Sequence, residues 1–201
     1  GEKSEYFDHY KVDFLKRWIP MRDQEVDILD FGCGMGGISS LIAQAYPRSK
    51  VHGYDPSRKS IDFAREKWNA IENVEFKSGL LGTNYYDLIV IANVFHHIKP
   101  EERREMLILL KSFLKPDGNI VIFEHNPINP LTSYVMKTCP LDINARPIHL
   151  FQFVKLGRSC GLNVYLKRYI VFFPRALSFL RRFEPLMGYV PLGAQYSLIL
   201  G

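Results

Sequence analysis

Val26-Asp27-Ile28-Leu29-Asp30-Phe31-Gly32-Cys33-Gly34-Met35-Gly36-Gly37 is a short apolar run that stops in a glycine-rich turn. Beyond the turn the apolar period changes, and Ile38, Leu41, Ile42, Ala45 and Tyr46 fall on one helical face. A buried strand therefore runs into a tight turn and then a helix. Glycine is needed where the backbone takes positive φ and where a ligand must approach with no Cβ in the way. The free N–H groups of the first helical turn make this spot a ready site for a polar ligand.

Two kinds of cofactor fit such a turn. Gly32, Gly34 and Gly37 satisfy the G-x-G-x-x-G spacing of dinucleotide sites, and Asp55 follows about 20 residues on, where an acid holds a ribose. That reading makes the chain an NAD(P)-dependent oxidoreductase. Asp30 argues otherwise, because a carboxylate two residues before the first glycine repels a pyrophosphate but can receive a ligand's ammonium group.

With its acid in place, the segment Asp30-Phe31-Gly32-Cys33-Gly34-Met35-Gly36 resembles the first motif of the class I S-adenosylmethionine-dependent methyltransferases, acid-x-Gly-x-Gly-x-Gly. The resemblance implies an α/β three-layer sandwich with a seven-stranded, mostly parallel sheet and an antiparallel last strand. It implies S-adenosylmethionine as cofactor and S-adenosylhomocysteine as product. Asp30, Gly32, Cys33, Gly34 and Gly36 are the first candidate cofactor residues. Val51-His52-Gly53-Tyr54-Asp55 reads as a second strand, and in the family an acid in the place of Asp55 holds the ribose hydroxyls. Pro56 and Ser57 follow it, and the alternative for Asp55 is a plain helix cap, with Ser57 also suited to cap the next helix. Where family members often carry an acid for the adenine amino group, this chain has Gly79-Leu80-Leu81, which leaves backbone groups for the base edge and apolar side chains for its face.

Asp87-Leu88-Ile89-Val90-Ile91-Ala92-Asn93 is the near-continuous apolar run of a central parallel strand. Asn93 and Val94 at its end complete the candidate cofactor set. Phe95-His96-His97 comes next, and small-molecule members of the family carry a similar segment after their fourth strand, beside the sulfonium. It is not the Asn/Asp-Pro-Pro-aromatic sequence of the nucleic-acid amino-methyltransferases.

Methyl transfer to oxygen or nitrogen needs the acceptor deprotonated, and an imidazole with a reference pKa of ~6.5 can take that proton at neutral pH. His96, His97 and His125 are the candidate catalytic residues, with His96 ahead; one of the pair can equally be a wall of the pocket. Glu124, His125 and Asn126 close the expected fifth strand, Asn119–Glu124, where the carboxylate either faces the acceptor or merely fixes a loop. The cysteines and histidines show no metal spacing, so no metal is expected. Cys139 resembles the covalent nucleophile of some cytosine-5 methyltransferases, but the surrounding motifs of those enzymes are missing.

Working outward, Tyr6, Tyr10, Phe14, Trp18 and, less regularly, Phe7 and Leu15 recur at helical spacing up to Pro20, as a leading helix whose aromatic face covers core or cofactor. Met106, Leu109, Leu110, Phe113 and Leu114 are the expected stripe of a later helix, and Lys115-Pro116-Asp117-Gly118 reads as a turn. His149 to Cys160 reads as the last crossover helix, ended by Gly161, with strands at Leu162–Phe173 and Gln195–Leu200. Residues 127–147 and 174–193 are expected lid insertions in one methyltransferase domain spanning 1–201. The second combines Arg175, Arg181 and Arg182 with large apolar residues, which suits an acidic or lipid-linked acceptor, a peripheral membrane contact, a dimer contact or a solvated face over core.

A chain of 201 residues with a formal charge of +5 and three cysteines is that of one soluble globular domain with a modest preference for acidic partners. An odd cysteine count without framework spacing favours a reducing, cytoplasmic setting, and no apolar stretch is long enough to span a bilayer. Gly1 in place of methionine suggests processing or trimming. No clustered basic stripe marks a nucleic-acid module. The expected activity is methyl transfer to a small-molecule or lipid/sugar-linked acceptor, oxygen or nitrogen ahead of carbon. A non-catalytic interaction protein on the same fold is the other alternative, and composition leaves the oligomeric state open.

Overall fold

The computed structural model describes residues 4–21, 23–79, 85–142 and 144–201. The chain divides into two compact units, one running from the N-terminal part through Ala92 with Ser112–Asn119, the other comprising Asn93–Lys111 and Ile120–Gly201. Among the described residues seven strands form a sheet in the order β3-β2-β1-β4-β5-β7-β6.

In the first unit, α1 (Ser4–Trp18) leads to β1 (Asp27–Phe31), α2 (Gly37–Ala45), β2 (Lys50–Tyr54), α3 (Arg58–Lys67), β3 (Val74–Lys77) and β4 (Tyr86–Ala92). The strands pair in parallel, with Asp30 opposite Gly53 on one side and Val90 on the other. Ile28, Leu29, Leu88, Ile89, Val90 and Ile91 are all buried, as expected of strands covered on both faces. That burial makes the carboxyl end of β1 a rigid platform for whatever follows it.

The helical faces match the expected stripes in part, with Phe14, Leu15, Ile42, Tyr46, Leu110, Phe113 and Leu114 buried. In α1 the buried side chains are Lys11, Val12, Phe14 and Leu15, while Trp18 of the aromatic stripe is exposed. α2 buries Ser39, Ser40, Ile42 and Ala43, with Tyr46 buried just beyond it, while Ile38 and Leu41 are half-buried. Ser40 satisfies its hydroxyl by donating to the Gly37 carbonyl at 2.8 Å. Tyr46 donates to the Ile19 carbonyl at 3.0 Å, which fixes the chain between α1 and β1.

In the second unit a 3-10 turn (Phe95–His97) precedes α4 (Arg103–Phe113) and β5 (Leu114–His125), both of which pass between the units. α5 (Pro130–Thr138), a 3-10 turn at Pro140–Asp142, α6 (Leu150–Ser159), β6 (Val164–Ile170), a long 3-10 run at Arg175–Leu186 and β7 (Gln195–Leu200) complete it. β7 lies between β5 and β6, antiparallel to both, with Glu124 opposite Tyr196 and Tyr196 opposite Tyr169. β7 has the expected bounds, β6 is shorter than expected, and Gly161 follows α6 at φ 70. In α4 the buried positions are Leu107, Leu110 and Phe113; Leu109 is exposed. β5 begins at Leu114, so the expected turn at Lys115–Gly118 falls within the strand's bounds. There Lys115 bridges Asp87 at 2.7 Å and Asp27 at 3.1 Å.

Of the two expected lids, residues 127–147 contain α5, which is capped by Asn129 and has Pro130 in its first turn. In residues 174–193 most large apolar side chains are exposed, while Leu180 and Met187 are half-buried. Within the 3-10 run only Glu184 is buried, while Phe179 and Leu186 stand in solvent. Glu184 anchors the run: its Oε1 accepts hydrogen bonds from the Phe172 and Phe173 N–H groups at 3.1 and 3.0 Å, just past β6. Replacing Glu184 by Ala leaves those donors unpaired and is expected to cost about 1–3 kcal/mol in urea unfolding. Glu184→Gln, which keeps an acceptor, should cost less; equal losses would contradict this anchor.

Candidate functional site

β1 ends at Phe31 and the chain then passes through three left-handed glycines, Gly32 (φ 79), Gly34 (φ 52) and Gly36 (φ 77). The Gly32 and Cys33 N–H groups both donate to the Tyr54 carbonyl, at 2.7 and 2.9 Å, so the turn is closed against the end of β2. Gly36 is the cap of α2, and a Cβ there would stand 2.6 Å from the Phe76 ring, besides the strain of its φ. Gly37 is already helical. The glycines that the turn requires are therefore those of acid-x-Gly-x-Gly-x-Gly, not those of G-x-G-x-x-G.

Asp55 joins the two loops. Its Oδ2 accepts the Gly34 N–H at 2.9 Å and its Oδ1 the Ser57 N–H at 2.8 Å. Ser57, not Asp55, caps α3, by accepting from the Ser60 N–H. Pro56 is exposed and lies outside the helix. Trp68 donates to the Met35 carbonyl at 2.9 Å, bracing the turn from the α3 side. Cys33 packs near Ile61, Ala64 and Phe76, and burial pushes its thiol pKa well up, so it remains protonated.

Asp30 is 1% exposed and accepts the Ser39 hydroxyl at 2.6 Å. Burial pushes its pKa up to about 7; the Ser39 hydrogen bond opposes this, Asp8 adds to it and Lys11 again opposes it. Lys11 is itself buried and donates to the Phe7 carbonyl at 3.4 Å. Asp8, Lys11 and Ser39 were not singled out from sequence, because only the docking of α1 brings the first two to the strand end. Gly79 is exposed with open space at its Cα, and Leu80 and Leu81 lie outside the described residues. Asn93 directly follows β4 at φ 58, and its buried Oδ1 has no hydrogen-bond partner. A side chain held in a left-handed conformation with an unsatisfied acceptor is the kind of strain that ligand sites keep. Val94 caps the 3-10 turn that carries the histidine pair.

The second unit holds a separate polar cluster. Glu124, 1% exposed, accepts the Phe95 N–H at 2.6 Å through Oε1 and contacts His96 Nδ1 at 2.7 Å through Oε2. With Nδ1 turned to Glu124, Nε2 is the His96 nitrogen that faces Asp142. Nε2 lies 3.5 Å from Asp142, whose same oxygen is 3.8 Å from His97 Nε2. Burial alone would depress His96, but the hydrogen bond and charge of Glu124, with Asp142, more than offset it and hold the pKa up. His97 is held down, first by its own partial burial and then by the charge of His96. The His125 ring lies 5.2 Å from that of His96. The structure thus brings the three candidate histidines together and adds Asp142, which no spacing rule could have paired with them.

Asp30 yields a pH dependence with a definite sign. A carboxyl whose folded pKa is raised contributes stability that is present below the unfolded pKa of ~3.9 and lost as pH rises through about 7. Asp30→Asn should therefore gain stability over the parent between pH 4 and 7, by a few kcal/mol at most, and hold that gain above pH 7. Thermal unfolding across that range checks this; a pH-independent difference would contradict it.

A family model described as a methyltransferase domain matches residues 29–120. A malonyl-[acyl-carrier protein] O-methyltransferase of Halalkalibacterium halodurans is 26% identical over 114 residues, covering 53% of this chain and 41% of that protein. An uncharacterized methyltransferase of Alkaliphilus oremlandii is 30% identical over 125 residues, 61% of this chain and 56% of that one. The chain thus spans about half the length of the curated relatives it matches. A SAM dependent methyltransferase from Archaeoglobus fulgidus has the same fold, with a TM-score of 0.71 at 20% identity over 96% of this chain and 93% of that one. No helix among the described residues is long and apolar enough to cross a membrane. Residues 29–120 thus match a methyltransferase domain, and the chain as a whole shares its fold with solved SAM dependent methyltransferases.

Proposed function

We propose that this protein transfers a methyl group from S-adenosylmethionine to a hydroxyl or amine of a small-molecule or lipid/sugar-linked acceptor, leaving S-adenosylhomocysteine. The observation that carries this is the fixed carboxylate of Asp55, held by the Gly34 and Ser57 N–H groups beside a turn of three left-handed glycines. A carboxylate so held keeps lone pairs for a cis-diol, and its rotamer is set before the ligand arrives. Asp30, with Asp8 near it, supplies the negative charge that suits an amino-acid ammonium and disfavours a pyrophosphate. Backbone groups of Gly32, Cys33, Gly34 and Gly36 and the end of β4 at Asn93 and Val94 complete the cofactor set.

The sulfonium, when bound, supplies an already activated methyl group, so the protein's task is placement of the acceptor. His96, His97 and His125 serve the acceptor side, where a proton must be lost as the new bond forms. Glu124 fixes the His96 ring so that Nε2 is the working nitrogen. The 127–147 and 174–193 segments admit the acceptor. Arg175, Arg181 and Arg182 beside exposed Phe179 and Leu186 suit one that carries an anionic or lipid group, or a peripheral membrane contact.

Isothermal titration with S-adenosylmethionine, S-adenosylhomocysteine and NADH, followed by label transfer from methyl-labelled cofactor to a panel of hydroxyl and amine acceptors, tests this reading. The expected result is micromolar binding of the sulfonium pair, none of NADH, and at least a tenfold loss in Asp55→Ala, about 1.4 kcal/mol or more. Binding of NADH alone, or of neither cofactor, would overturn it.

A further inference from the structure

The polar cluster of the second unit has a geometry that the methyl-transfer reading does not explain. Around Glu124 the contacts are short, 2.6 and 2.7 Å, as charge-assisted hydrogen bonds should be. On the other side of the same imidazole the distances open, to 3.5 Å from His96 Nε2 to Asp142 Oδ1 and 3.8 Å from that oxygen to His97 Nε2. The three ligand-type atoms all lie within 4.8 Å of one another. Metal–ligand bonds of about 2.0–2.2 Å at tetrahedral angles place ligand atoms about 3.3–3.6 Å apart. The two edges that meet at Asp142, 3.5 and 3.8 Å, are therefore close to those of a coordination shell.

We propose that His96 Nε2, His97 Nε2 and Asp142 form a binding site for a first-row divalent transition ion of the zinc type. Two imidazoles and one carboxylate are a donor set for zinc, cobalt, manganese or iron rather than for magnesium or calcium, which take oxygen shells. Glu124 is the second independent feature: a buried carboxylate on the far nitrogen of a ligand histidine fixes its tautomer and raises its basicity. The frame around the site is also built. Arg146 N–H donates to the His96 carbonyl at 2.7 Å, Ala145 N–H to the Asp142 carbonyl at 2.9 Å, and Arg103 bridges the carbonyls of Ile98 and Arg146. These bonds tie the segment carrying Asp142 to the turn carrying both histidines, so the ligand set is held before any ion arrives. Sequence spacing could not have revealed it, because Asp142 comes from a different segment.

Resting on the proposal that this cluster serves the acceptor side, three protein ligands leave a position for an oxygen of the acceptor. A hydroxyl bound there gives up its proton to solvent more readily than a free one. The ion thus selects oxygen-bearing acceptors and holds them in one orientation.

The test uses the full chain after chelator treatment, titrated calorimetrically with ZnCl2, CoCl2 and MgCl2, with the visible spectrum of the cobalt form as a structural readout. His97→Ala alters a half-exposed side chain and Asp142→Asn keeps the shape, so both variants should fold; Cys139→Ser controls for a nearby thiol. One equivalent of zinc or cobalt should bind, magnesium should not compete, and affinity should fall at least tenfold in His97→Ala and Asp142→Asn but hold in Cys139→Ser. No stoichiometric binding, equal affinity in those two variants, or loss in Cys139→Ser would each overturn the site. Parallel titration of the metal-free chain with S-adenosylhomocysteine keeps the two proposals apart. Cofactor binding without metal binding removes only the ion, whereas metal binding without cofactor binding removes only the methyl-transfer reading.

Discussion

The hydrogen bond from the Gly34 N–H to the Asp55 carboxylate is the contact on which the candidate cofactor site depends. It is possible only because parallel pairing of β1 with β2 brings their carboxyl ends level, Phe31 opposite Tyr54. It also requires backbone that only glycine adopts freely on either side of Cys33. Once made, it turns a side chain that would otherwise swing in solvent into a fixed acceptor, and it sets the path by which the chain enters α2. The buried apolar strands exist in this sense to hold two carboxylates, Asp30 and Asp55, at one end of the sheet. Fixing Asp30 there has an energetic cost, since burial makes its charged form unfavourable until a cationic group arrives.

A second buried carboxylate organises the other unit in the same way. Glu124 ends β5, accepts the backbone of Phe95 and orients His96, so one side chain sets both the path after β4 and the tautomer of the adjacent imidazole. The expectation for Glu124 was divided between facing the acceptor and fixing a loop. The structure assigns it the loop-fixing contact and gives it the orientation of His96 in addition. Both carboxylates act at strand ends, where backbone N–H groups leave the sheet ladder and must find other partners.

Sequence showed most plainly what has a strong local cause. The β1 run, the three required glycines, the Ser57 cap, the end of α6 at Gly161 and the bounds of β7 each follow from a pattern within a few residues. Helix faces were less legible. In α1, Phe14 and Leu15 of the expected stripe are buried, while Val12 joins them and Trp18 is exposed. In α4 Leu107 is buried and Leu109 exposed, although periodicity admits both. Long-range pairs left no trace at all. Lys11 and Asp8 beside Asp30, and Asp142 beside the histidine pair, have no local signature, because each meets its partner through the fold rather than through spacing.

The central claim is that the Asp30–glycine turn–Asp55 arrangement is built for the amino-acid and ribose ends of a sulfonium nucleoside. A crystal structure of the chain with S-adenosylhomocysteine tests it most directly. Both ribose hydroxyls are expected within hydrogen-bond distance of Asp55, with the Gly34 contact retained, and the ligand's amino group at the Asp30 end of the turn. A nucleoside bound away from Asp55, or with its amino group remote from Asp30, would contradict it.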